Sequence, residues 1–160
     1  MIVYQEILNV DTNEYDAGWE LSPQDAATKV YGANWEADDG FSISNGIEHP
    51  HSSIAKVLDL RSTEDFEHGH ISGAISNPLA NLTAMSPSPY EDGKTLQRQW
   101  KDLKTKFSGE EFDRVDKRPV LVVCYNGETS RLASALLRGQ GIEAYSIAGG
   151  VSRLEGFDKF

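Results

Sequence analysis

Pro119-Val120-Leu121-Val122-Val123-Cys124-Tyr125-Asn126-Gly127-Glu128-Thr129-Ser130 is the stretch that decides the fold. Val120 to Val123 form an unbroken aliphatic run, which is the pattern of a strand covered on both faces in a parallel sheet. A tight loop, Cys124 to Thr129, follows it. Ser130 to about Arg138 then reads as a helix, with Leu132, Ala133, Leu136 and Leu137 on one side and Gly139 and Gly141 closing it. Ala144-Tyr145-Ser146-Ile147 is the next strand, ended by Gly149-Gly150. A strand–helix–strand crossover implies parallel pairing with a right-handed connection. The fold class is therefore α/β.

Working upstream, Ile54 to Leu60 reads as a second buried strand, and Ser62 to Phe66 as a short capped turn of helix. Gly69 to Ala74 is a turn leading into a short strand at about 74–77. Residues 81–93 contain Pro87, Pro89 and Gly93 and read as loop. From Lys94 to Phe107 the apolar residues Leu96, Trp100, Leu103 and Phe107 fall in steps of four, three and four, one core-facing helical stripe. Ser22 is placed to cap a helix over 23–31, with Pro23 at its first position. Residues 32–52, rich in Gly, Asp, Asn and Ser, read as a long loop or insertion. Residues 1–18 hold one strand-like run, Ile2-Val3-Tyr4, and read as an extension or linker.

A length of 160 residues suits one domain, and 39% apolar against 25% charged residues is the balance of a globular chain with one core. The net charge is −10, from 25 acidic and 15 basic residues, which leaves no cationic footprint for nucleic acid or anionic lipid. No run of eighteen apolar residues is present, so no membrane span is expected. The opening residues lack a basic region and soon turn acidic, unlike a secretory signal or an Arg-rich transit peptide. One cysteine excludes an internal disulfide and suits a reducing compartment, read as the cytoplasm with the mitochondrion left open. The four histidines, His49, His51, His68 and His70, show no tight spacing with Cys124, so no metal site is expected.

Cys124 carries the chemistry. A buried strand that stops, a tight glycine-containing loop and a helix start together aim several unpaired backbone N–H groups, and the positive end of a helix dipole, at one point. Such a cradle favours an anion: a thiolate, a persulfide or a transferred oxyanion. Gly127 in mid-loop lets the chain curl through positive φ.

Two stretches resemble the signatures of rhodanese domains. The first is Val57-Leu58-Asp59-Leu60-Arg61-Ser62 with Phe66-Glu67-His68-Gly69-His70-Ile71-Ser72-Gly73-Ala74. The second is the Cys124–Ser130 loop with the Ala- and Leu-rich helix and Gly149-Gly150-Val151. The resemblance covers roughly residues 19–158, so 19–160 is expected to be one rhodanese domain. It implies a five-stranded parallel sheet flanked by helices on both faces, and sulfur transfer through a cysteine persulfide with no metal or organic cofactor. Cys124 matches the sulfur-accepting nucleophile. Tyr125, Asn126, Gly127, Glu128 and Thr129 match the loop whose amides hold the persulfide, with Ser130 directly after. Asp59, Arg61, His70 and Gly73 match positions that look structural, His70 as a ring tying down the Gly69–Gly73 turn.

The loop lacks the arginine that many members carry at Tyr125 or Thr129, and its one charge is Glu128, read as facing solvent rather than screening anionic donors. Thr129 and Ser130 are expected to offer hydroxyl hydrogen bonds to the donor or the outer sulfur. The implied partners are a small sulfur donor, thiosulfate or a thiol persulfide, and a cyanide, thiol or protein acceptor. Two alternatives stand. A cysteine phosphatase needs Cys-x5-Arg, but that position is Ser130, and Arg131 falls about 100° further round a helix. A non-catalytic, regulatory rhodanese-like module of a larger protein is the other.

Overall fold

A computed structural model of the chain describes residues 20–23, 25, 26, 29, 54, 56–71, 73–108 and 118–153. The strand-like Ile2–Tyr4 and the long 32–52 loop of the sequence reading lie outside these residues. The elements run β1 (Glu20–Leu21), β2 (Lys56–Asp59), α1 (Thr63–His68), β3 (Ile75–Ser76), α2 (Gly93–Ser108), β4 (Val120–Val123), α3 (Glu128–Gly139) and β5 (Ala144–Ile147). A 3₁₀ turn at Gly150–Arg153 follows. Pro23, Asp25, Ala26 and Lys29 are helical, and the Ser22 hydroxyl accepts the Asp25 N–H at 3.1 Å, the cap expected of it.

All five strands pair in parallel, in the order β1-β5-β4-β2-β3. β4 is central: Val120 lies opposite Lys56 on one side and Ala144 on the other. Its four residues are all buried because both faces are covered. Val120, Val122 and Cys124 pack with Leu96, Trp100, Leu103 and Phe107 of α2 and Leu132, Ala133 and Leu137 of α3. Leu121 and Val123 pack with Ala26, Ile54, Ile71 and Val151 on the opposite face. The α/β sheet flanked on both faces follows from this two-sided burial. Burying Leu96, Leu103 and Phe107 is worth roughly 1.5–3 kcal/mol each, so packing rather than intrinsic propensity holds α2.

Both ends of α3 differ from the sequence reading. α3 starts at Glu128, two residues before Ser130. Gly127 takes a left-handed φ of 89° as N-cap, and the Asn126 side-chain oxygen accepts the Glu128 N–H at 3.1 Å. At the other end Gly139 is still helical, and Gly141, at φ 83°, makes the left-handed closure. Its N–H reaches Arg138 O and the Ile142 N–H reaches Leu137 O, both at 3.0 Å.

The topology singles out one place for a site. From β2 the chain moves outward to β3, then returns past β2 to β4 and proceeds the other way to β5. The crevice at the carboxyl ends of strands flanking such a reversal is where open α/β sheets bind ligands. Cys124 is the residue directly after β4 at that point.

Candidate active site

Cys124 is 1% exposed, and its side chain continues the alternation of Val120 and Val122 onto the α2/α3 face. Its Sγ accepts the Gly127 N–H at 3.2 Å and the Ser130 N–H at 3.3 Å, and donates to the Ser130 hydroxyl at 3.3 Å. Two amides, those of Gly127 and Ser130, face the sulfur, while two carbonyls of the loop are taken from behind. Val151 N–H reaches Cys124 O at 3.0 Å and Ser152 N–H reaches Tyr125 O at 3.1 Å. The glycines permit this close approach. A Cβ on Gly127 would lie 2.6 Å from Ile147 O, and one on Gly150 would lie 2.5 Å from Gly127 N.

Other loop side chains fix the frame. The Tyr125 hydroxyl donates to the Asp65 carboxylate and accepts the Ser62 N–H at 3.2 Å, fastening the loop to the N-terminus of α1. Asn126 donates to Glu128 Oε1 at 3.1 Å, and the Ser88 hydroxyl donates to Glu128 Oε2. Glu128 is half-exposed, as the sequence suggested in part, but it also ties α3 to the segment preceding α2. Thr129 departs from expectation. It is buried and its hydroxyl donates to Gln99 on α2 at 2.9 Å, so that proton is not offered to a donor molecule. Ser130 alone of the two hydroxyls faces the sulfur.

Asp59 and Arg61 form a buried pair at the end of β2, with Arg61 Nη2 at 2.8 Å from both Asp59 Oδ2 and Gly69 O. His70 stacks on Phe66 with ring centroids 3.8 Å apart, and its Nδ1 lies 2.8 Å from Phe66 O. Facing a carbonyl, that nitrogen carries the proton. Gly73, at φ 83°, completes the turn closed by Ala74 N–H to Ile71 O at 2.9 Å. These four residues brace β2 and the turn that follows α1, and none of the bonds described for them reaches the sulfur.

A recess leads to Cys124 between the loop and the segment 82–89, with Leu82, Ser86, Pro87 and Pro89 along one wall and Tyr125, Asn126 and Thr129 along the other. Among the described residues, no lining side chain carries a charge. Arg131, one position past the place a cysteine phosphatase needs its guanidinium, lies 3.8 Å from Glu20 and over the Tyr90 ring. Ser130 holds the phosphatase position instead.

The model of the rhodanese-like domain matches residues 44–156 of the sequence. The chain belongs to the rhodanese-like family. The chain is 33% identical over 97 residues to the thiosulfate sulfurtransferase GlpE of Pseudomonas putida (strain GB-1), covering 60% of this chain and 66% of that protein. It is 27% identical over 113 residues to the GlpE of Shewanella oneidensis, covering 69% and 86%. Among solved structures, a rhodanese-related protein from Thermoplasma volcanium aligns at 20% identity over 65% of this chain and 76% of its own, with a TM-score of 0.40. The rhodanese-like match starts after β1, yet β1 completes the sheet beside β5.

Three residues that matter to this geometry, Ser88, Gln99 and Ser146, carry no motif in the sequence. One of them had a readable signal. Ser146 shares the α3-facing parity of Ala144 in a strand covered on both sides, and a polar side chain buried there must have a partner.

Proposed function

We propose that this chain is a sulfurtransferase that carries sulfane sulfur as a persulfide on Cys124. One observation carries the reading: three hydrogen-bonding groups, two backbone N–H and one hydroxyl, converge within 3.3 Å on a sulfur at the end of the central strand. Hydrogen bonds to an ionised acceptor are worth roughly twice those to a neutral one, so the cradle favours sulfur in its anionic forms. The sulfurtransferase names of the relatives agree with it.

The chemistry is a two-step exchange. Cys124 thiolate attacks the sulfane sulfur of a donor. A Cys–S–S bond forms, the donor's S–S bond breaks, and the donor remainder (sulfite from thiosulfate, a thiolate from a thiol persulfide) leaves with the electron pair. The loop amides receive the charge as it moves onto the outer sulfur. An acceptor then attacks that sulfur: cyanide leaves as thiocyanate, or a thiolate leaves as a persulfide, and Cys124 thiolate returns. A protein thiol is an acceptor of the same chemistry. No step draws on a cofactor, and a reactive thiol of this kind belongs in a reducing compartment, for which we propose the cytoplasm.

Intact mass spectrometry after exposure to thiosulfate or a thiol persulfide tests this. One added sulfur is expected, absent in Cys124→Ser and removed by cyanide. A reduced protein that takes up no sulfur from any donor would support the regulatory-module alternative.

A further inference from the structure

We propose that Ser146 is a positioning residue for Cys124, acting through Ser130. The two hydroxyls lie 2.6 Å apart, and Ser146 Oγ also reaches Gly127 O at 3.3 Å. With Cys124 they form a sealed line, Sγ to Ser130 Oγ to Ser146 Oγ to Gly127 O, in which Ser130 is 0% and Ser146 1% exposed. No water is needed to close it, and every proton can be placed.

When the sulfur is a thiol, three protons fill three links. The S–H points to Ser130, the Ser130 O–H to Ser146, and the Ser146 O–H to Gly127 O. When the sulfur is a thiolate or a persulfide, one proton has gone and two hydroxyls remain. The Ser130 O–H turns to the sulfur and the Ser146 O–H turns to Ser130 Oγ. Gly127 O is not orphaned by this turn, because the Arg131 N–H also reaches it at 3.3 Å. Both states leave every buried donor satisfied, which is the condition for a low-cost switch.

Ser146 has a second effect. A serine in the first turn of a helix readily bonds back to the carbonyl three residues earlier, which for Ser130 is Gly127 O. In the thiolate state the Ser146 O–H holds the Ser130 oxygen, which turns the Ser130 O–H to the sulfur and away from Gly127 O. Without Ser146 the back-bond competes, and the thiolate loses its third donor part of the time.

The relay deepens the sulfurtransferase reading, and its role in turnover rests on that reading, but its test does not. Cys124 is the sole cysteine, so iodoacetamide gives one adduct that reports thiolate reactivity without any sulfur donor. Relative to wild type at pH 7, Ser130→Ala is expected to react about tenfold more slowly and Ser146→Ala about threefold to tenfold more slowly. The double variant is expected to be no slower than Ser130→Ala. Ser146→Thr, which keeps the hydroxyl, should react within about twofold of wild type. Thermal melts of each variant establish that it is folded. A Ser146→Ala protein at the wild-type rate, or one whose loss is the same with and without the Ser130 hydroxyl, would overturn the relay. The sulfurtransferase reading fails by a different result, the lack of a sulfur adduct on the wild-type protein.

Discussion

The Tyr125 hydroxyl donates to the Asp65 carboxylate, joining the cysteine loop to the first turn of α1. This bond holds the Asp65 carboxyl below its usual value, with Ser62 and the charges of Arg61 and His68 adding to it against a smaller opposing effect of burial. Burial first, and then the Asp65 bond, hold the Tyr125 hydroxyl above the usual tyrosine value. Asp65 therefore stabilises the fold above the unfolded carboxylate value of about 3.9 and loses that contribution as pH falls through its lower folded value. Tyr125 contributes below about 10 and loses its contribution as pH rises through its higher folded value. Tyr125→Phe should melt about 2–4 °C below wild type at pH 7, for about 1 kcal/mol in a partly exposed bond. The gap should close below pH 4; a gap unchanged at pH 3 would contradict the assignment.

Gly127→Ala should unfold at a clearly lower urea concentration, a loss of at least about 2 kcal/mol. The backbone sits at φ 89° and the new Cβ would meet the Ile147 carbonyl at 2.6 Å, neither of which a side-chain rotation can relieve. Wild-type stability in this variant would show that the loop relaxes freely.

Thr129→Val separates scaffold from chemistry. It keeps the volume but removes the bond to Gln99 on α2, leaving a buried acceptor unmet at a cost of about 1–3 kcal/mol. The melting temperature should fall while the rate of persulfide formation stays within about twofold of wild type. A large loss of rate at unchanged stability would return the Thr129 hydroxyl to the donor site.

How much of this was legible in the sequence divides along physical lines. The aliphatic run before Cys124, the Leu96–Phe107 stripe and the Ser22 and Ser62 caps are local signals, and each forms where its pattern places it. α3 starts two residues before Ser130 because the left-handed Gly127, and no run of good helix formers, sets the boundary. The bonds that hold Thr129 and Glu128 have no local signal, because their partners, Gln99 and Ser88, are 30 and 40 residues away. Ser146 was readable only as a polar residue in a covered strand; its partner Ser130 required the parallel register that stacks β5 beside α3.

Glu128 is bonded to Asn126, which lines the recess, and to Ser88. Glu128→Gln keeps an acceptor for Ser88 and removes the repulsion of an anionic donor. With thiosulfate, kcat/KM should rise about twofold to fivefold at low ionic strength, the effect of about 1 kcal/mol between exposed charges, and the gain should vanish in concentrated salt. A gain that survives high salt would point to a steric cause.

The most direct measurement is the intact mass of the reduced protein after incubation with thiosulfate or a thiol persulfide. One sulfur is expected on the wild-type chain, none on Cys124→Ser, and its release on adding cyanide. A folded, reduced wild-type protein that alkylates at Cys124 yet takes up no sulfur from either donor would contradict the persulfide role of that residue.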